Sequence, residues 1–195
     1  MDDEDVLAAI EETWWEVRER GVRGEERWGG DGGEEGFWKR FAGRVYARCG
    51  GGDLPEECFA ALVSHFARPL HWKVYPEVHG VLSELRARGL KLAVVSNWDT
   101  TLPDLLERLS LAAYFDVVVV SASFGQSKPS PAIFHEALRL LGLPPESALH
   151  VGDSLSEDWE AASAAGLSAL WLDRTGKGLG DVPFVRDLSG VARHL

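Results

Sequence analysis

Five residues of this 195-residue chain stand where apolar runs give way to polar loops and carry groups able to do chemistry: Ser96, Asn97, Lys128, Asp153 and Asp158. The run Val94-Val95-Ser96-Asn97 ends in a hydroxyl and an amide, which with loop N–H groups can hydrogen-bond an anion. A strand end that caps its own turn uses the same two side chains. The run His150-Val151-Gly152-Asp153-Ser154 is followed by Asp158, and two carboxylates around a glycine-flanked turn can hold a hard cation through oxygen ligands. Asp158 alone also reads as an acid favoured by a helix N-terminus, and Ser154 with Glu157 has the spacing of a capping box. In Ser127-Lys128-Pro129-Ser130-Pro131 the prolines flanking Ser130 stiffen the loop and limit the positions open to Lys128. A loop lysine is usually solvated; one fixed between a hydroxyl-bearing and a carboxylate-bearing strand end can neutralise a phosphoryl group.

Such residues meet only if the runs before them are strands of one sheet, because in open α/β sheets ligands collect beyond the carboxyl ends of the strands. After Pro76 the pattern supports this: helix 77–88 closed by Gly89, strand 91–96, helix 102–109, strand 115–121, helix 131–141, strand 148–153, helix 156–165, strand 168–173. The alternation predicts an α/β, Rossmann-like parallel sheet covered by helices. Ser130-Pro131 supplies a cap and a first-turn proline, and Gly142 and Gly166 sit where left-handed C-caps belong. Before residue 75 the apolar positions recur at helical spacing instead: Val6, Leu7, Ile10, Trp14 and Val17, then Phe37, Phe41 and Val45, then Phe59, Leu62, Val63 and Phe66. The reading is a small helical bundle as a subdomain over 1–75 and an α/β core over 76–195, with residues 21–36, seven of them glycine, as a mobile surface loop.

Composition narrows the function classes. Twenty Lys and Arg against 31 Asp and Glu give a net charge of −11, which repels phosphate backbones and anionic lipid headgroups. The expectation is no nucleic-acid and no membrane partner. No apolar run approaches a bilayer span and the acidic start at residues 2–5 is unlike a signal peptide, so the expected location is cytoplasmic. Cys49 and Cys58 read as ordinary thiols of a reducing compartment, and His150 as a buried strand residue. There is no Gly-x-Ser-x-Gly elbow, Walker loop or Gly-x-Gly-x-x-Gly fingerprint.

Taken together, Val-Val-Ser-Asn at 94–97, Ser-Lys-Pro-Ser-Pro at 127–131 and His-Val-Gly-Asp-Ser at 150–154 resemble, in order and spacing, the haloacid dehalogenase superfamily. The likeness covers roughly residues 70–190, with a weaker helical-cap similarity before them, and within the superfamily it resembles the subgroup of haloacid dehalogenase-like hydrolase domain-containing protein 3. Phosphatases of this superfamily carry Gly-Asp and a following Asp where its dehalogenases carry Ser-Asn, so Gly152-Asp153 with Asp158 is similar to a magnesium-dependent phosphatase. The resemblance implies that Ser96 binds the phosphoryl oxygens with Asn97 beside it. It also implies that Lys128 stabilises nucleophile and substrate charge, and that Asp153 and Asp158 help hold Mg²⁺.

The resemblance also exposes a difference. The family begins with an apolar strand running into Asp-x-Asp-Gly-Thr or Asp-x-x-Gly-Thr, whose first Asp attacks phosphorus, and no such run occurs here. Asp3-Glu4-Asp5 has the spacing but continues as an amphipathic helix, without Gly-Thr. The expectation is therefore a chain lacking its true beginning. Its central strand, between those ending at Ser96 and Asp153, would be absent, leaving unpaired backbone or a closed gap. The expected partner is a small phosphorylated metabolite and the expected state a monomer or homodimer, with no turnover by the chain as it stands. A noncatalytic Mg²⁺- or phosphate-binding protein is the alternative, and a metal-free dehalogenase a third reading.

Overall fold

A computed structural model describes residues 3–23, 25, 27, 28, 31–66 and 72–195. The chain divides into two compact units, Met1–Trp72 and Lys73–Leu195.

The first unit is helical: α1 (Asp3–Val22), α2 (Gly33–Arg48) and α3 (Glu56–Phe66). Asp3 and Asp5 thus lie in the first turns of a helix rather than at the end of a strand. α1 packs on α2 through aromatic rings. Trp14 and Phe41 have centroids 4.6 Å apart, Trp28 and Phe37 4.8 Å, and Phe37 meets Trp38 edge-on at 5.1 Å. Phe37, Phe41 and Phe59 are buried, each burial contributing about 1.5–3 kcal/mol. The loop expected over 21–36 is shorter than its composition suggests, because α1 runs through Val22 and α2 starts at Gly33. Glu34 and Glu35 favour the N-terminus of α2, and Gly36 allows the close approach of the Asp31 carbonyl, which a Cβ would overlap. Residues 24, 26, 29 and 30 of that loop lie outside the described residues.

The second unit alternates as expected: α4 (Val78–Ala87), β1 (Ala93–Ser96), α5 (Leu102–Arg108), β2 (Val117–Val120), a four-residue α6 (Ser121–Phe124), α7 (Pro131–Leu141) and β3 (Leu149–Gly152). A π-helical turn (Leu155–Glu160), α8 (Ala161–Ala164), β4 (Ser168–Leu172), β5 (Phe184–Val185) and a terminal 3₁₀ segment (Leu188–His194) complete it. The helix expected over 156–165 is thus a wide π turn followed by one α turn: Trp159 N–H reaches back five residues to the Ser154 carbonyl. α7 keeps the bounds its sequence signals predict, with Ser130 accepting from Ala132 N–H and Gly142 in the left-handed conformation.

All strand pairs are parallel, but they form two sheets, β1-β2 and β3-β4-β5, and among the described residues no strand joins β1 to β3. The gap falls between the strands that lead to Ser96 and Asp153. Parallel strands are normally covered on both faces. Here β1 and β3 are only half-buried along their length, while β2 ends in the buried pair Val119 and Val120. The halves share one apolar layer. Ile133 and Phe134 of α7 are fully buried, and the cluster around them takes in Val95, Val119, Ala161, Ala162 and Ala169. No helix among the described residues is long and apolar enough to cross a membrane.

Candidate active site

β1 and β3 end beside the same gap, and the loop after β2 crosses between their ends. Lys128 lies in that loop; its Nζ is 2.5 Å from Asp158 Oδ1, with side-chain exposures of 10% and 4%. A buried lysine is costly unless paired, so the pair fixes both partners. Asn97, one residue beyond β1, clamps the loop from the other side: its Oδ1 accepts from Lys128 N–H at 2.7 Å and its Nδ2 donates to the Lys128 carbonyl at 2.9 Å. Asn97 therefore positions Lys128 through the backbone, a different task from contacting an anion beside Ser96. The Lys128–Pro129 peptide is cis.

Asp158 is the hub. Oδ1 also accepts from His150 Nε2 at 3.0 Å, and Oδ2 accepts from Ser154 N–H at 2.9 Å. An ionised carboxylate only accepts, so His150 carries its proton on Nε2 here. Burial pushes the Asp158 carboxyl up, but the His150 hydrogen bond and the Lys128 charge outweigh it and hold the group well below the usual carboxylate range. Ser154 Oγ accepts from Glu157 N–H at 3.2 Å, so the capping residue starts the turn that carries Asp158. Gly152 makes room for that turn: a Cβ there would overlap the Asp158 carboxyl carbon.

The structure thus gathers Lys128, Asp158 and Asn97, with Ser96 ending β1 next to the clamp and Asp153 exposed at the end of β3. Ser127 Oγ, beside Lys128, is buried with no hydrogen-bond partner among the described residues, and a bound oxyanion would satisfy it. His150 is the residue that sequence reasoning left in the core. The signal was strand alternation, because residues 150 and 152 share a face, and the face that Gly152 opens for Asp158 is the one His150 occupies.

Mg²⁺ is held through one or two carboxylates with several waters. Asp153, exposed and without a hydrogen-bond partner for its carboxylate among the described residues, fits that need. Asp158 has both oxygens engaged and offers one remaining lone pair on Oδ2. Among the described residues no cluster of three or more His, Cys, Asp or Glu is preassembled for a metal.

The chain is similar to known proteins in sequence and in fold. A family model described as haloacid dehalogenase-like hydrolase matches residues 4–166. Haloacid dehalogenase-like hydrolase domain-containing protein 3 of Bos taurus is 44% identical over 109 residues, 56% of this chain and 43% of that protein. The phosphoserine phosphatase of Thermus thermophilus is 33% identical over 171 residues, 86% of this chain and 65% of that protein. Each match spans less than two thirds of its relative's length. Among solved structures, a HAD phosphatase from Thermococcus onnurineus superposes with a TM-score of 0.68 at 27% identity, covering 94% of this chain and 78% of that one. A 2-haloacid dehalogenase from Pseudomonas syringae does so at 0.63 and 26%, covering 97% and 88%. With a buried lysine–aspartate pair at the strand ends and a family match over most of its length, the chain belongs to the haloacid dehalogenase-like hydrolases.

Proposed function

We propose that the second unit is the phosphate-handling core of a magnesium-dependent phosphatase for a small phosphomonoester, and that the chain as it stands lacks the attacking carboxylate. The observation that carries this reading is the buried Lys128–Asp158 pair beside Gly152-Asp153, an acidic strand end suited to a hard cation. Relatives named as phosphatases support it.

In this mechanism Ser96 Oγ donates to a phosphoryl oxygen and Lys128 Nζ lowers the cost of the charge that builds on the group in flight. Asp158 and Asn97 hold the ammonium in place without touching the substrate. Asp153 would hold Mg²⁺, with Asp158 reaching it through its free lone pair; bound there, the ion would neutralise phosphoryl charge. Attack on phosphorus needs a carboxylate of its own, because Asp158 is held by three hydrogen bonds and Asp153 would be engaged in holding the cation. The engagement of both Asp158 oxygens also favours a second reading, a protein that binds phosphate or Mg²⁺ without turning substrate over.

The test is Mg²⁺-dependent hydrolysis of an aryl phosphate by three proteins: this chain, its Asp153→Asn variant, and a form extended ahead of Met1 by an apolar strand ending in Asp-x-Asp. The expected result is turnover by the extended form alone. Turnover by this chain that disappears in Asp153→Asn would refute the missing nucleophile, and Mg²⁺ binding without turnover in every form would favour the binding protein.

A further inference from the structure

Of the two carboxylates that the proposed reading gives to the cation, only one is held by its own side chain. Asp158 keeps its place through Lys128, His150 and the Ser154 N–H. Asp153 stands exposed at the end of β3, with no hydrogen bond to its carboxylate among the described residues. The distance between the two is therefore set by the backbone that joins them, beginning with the peptide from Asp153 to Ser154.

That peptide is held at both ends. Its N–H, on Ser154, donates to Asp158 Oδ2 at 2.9 Å, and its carbonyl, on Asp153, accepts from the Trp171 indole N–H at 2.9 Å. A peptide unit is planar, and in the trans form its C=O and N–H point in opposite directions, so two bonds from opposite sides fix its rotation about the chain. Trp171 reaches the carbonyl because of where β4 puts it. It stands in register with Gly152, the last residue of β3, and on its other side with Phe184 of β5, whose ring centroid is 6.4 Å from that of the indole. Leu170 and Leu172 turn into the cluster of Val185 and Val191, so alternation sends Trp171 to the opposite face, where Gly152 leaves room for Asp158. The indole N–H can only donate, and the Asp153 carbonyl is the acceptor that a half-buried tryptophan needs.

We infer that Trp171 is a positioning residue: through the Asp153 carbonyl it fixes the peptide that sets Asp153 against Asp158, and so presents the two carboxylates to Mg²⁺ at one spacing. A site whose ligands are held before the ion arrives loses less freedom on binding it. The inference rests on the proposed reading in one respect, that the ion binds at these carboxylates; the anchoring of the peptide needs no ion.

The anchor and the ion are tested separately on the full chain. In EDTA, hydrogen exchange followed by NMR reads the peptide itself, and in the parent the Trp171 indole N–H should exchange more slowly than that of exposed Trp15. Trp171→Phe keeps a ring and loses the donor; its Ser154 N–H should exchange about three- to tenfold faster than in the parent, the equivalent of one hydrogen bond. The Leu167 N–H, bonded to the Ala162 carbonyl in the same unit, should not change, as it would if the substitution merely loosened the fold. Phe184→Leu removes the neighbouring ring and keeps the donor, and should leave Ser154 at the parent rate. Calorimetric titration with Mg²⁺ should then show binding about three- to tenfold weaker in Trp171→Phe and unchanged in Phe184→Leu. A Trp171 indole N–H that exchanges as fast as that of Trp15, Ser154 exchange at the parent rate in Trp171→Phe, equal acceleration in Phe184→Leu, or Mg²⁺ affinity unchanged in Trp171→Phe would overturn the inference. Faster Ser154 exchange in Trp171→Phe, with no Mg²⁺ binding even by the parent, would uphold the anchor and overturn the magnesium reading instead.

Discussion

One ion-pair cluster of each unit shows the two opposite conditions under which charges meet. In the helical unit, Arg48 meets Glu12 and Glu16 at the surface, where the acids are 69% and 39% exposed and the guanidinium 25%. In the α/β unit, Lys128 and Asp158 meet at 10% and 4% exposure, with His150 and Ser154 also donating to Asp158 and Asn97 holding the Lys128 backbone. Water serves the first set as well as the protein does, whereas each member of the second has only its partners. Charge decorates the helical unit, and in the α/β unit it determines where loops and strand ends sit.

Asp158→Ala is the sharpest way to break this contrast, since it leaves Lys128 Nζ buried without its counter-charge. The expected loss is about 3–5 kcal/mol in urea unfolding. A loss below about 1 kcal/mol would place the pair in the same energetic class as the surface pairs. The next largest effect comes from two glycines of opposite sign. Gly152→Ala drives a methyl into the Asp158 carboxyl and should cost about 1–3 kcal/mol. Gly43→Ala, in the interior of α2 with nothing within 4 Å of a new Cβ, should stabilise by up to about 1 kcal/mol.

Acid should sharpen the contrast further. The Asp158 carboxyl is held below its ordinary value of 3.8, so its stabilisation is complete above about pH 5 and is lost as the pH falls through the folded-state value. The difference in thermal midpoint between the parent chain and Asp158→Asn should therefore be widest near neutrality and narrow steadily below about pH 4. A difference that stays constant down to pH 2 would show that the ionised carboxylate is not what stabilises the site.

What the sequence made legible follows the same division between local and long-range causes. α7 is readable to the residue because its cap, first-turn proline and C-terminal glycine lie within its own segment. Lys128 and Asp158 are readable as candidates because each follows a strand. The Asn97 clamp is hidden, since it bonds to the backbone of a residue 31 positions away, and no composition rule links the two. His150 is hidden for a related reason, a turn that folds back over Gly152. The π turn keeps the apolar spacing of a helix, and β5 is two residues long, too short for alternation to show. The split into two sheets depends on which strands find each other across long stretches of chain, and no local pattern of residues carries that.

The smallest effect tests the other side of the comparison. Arg48→Ala removes the ion pairs of Arg48 with Glu12 and Glu16 together with a 3.2 Å hydrogen bond from Arg48 Nη1 to Thr13 Oγ1. Thr13 is fully buried, so the bond could have been one whose loss strands a polar atom. It is not, because Thr13 Oγ1 donates its own hydrogen to the Ala9 carbonyl at 2.7 Å and loses only one accepted bond. The expected cost is about 0.2–1 kcal/mol, and it should shrink as salt rises to 1 M, where the screening length falls to about 3 Å. A larger loss that salt leaves untouched would mean that the helical unit, too, depends on a polar cluster shielded from water.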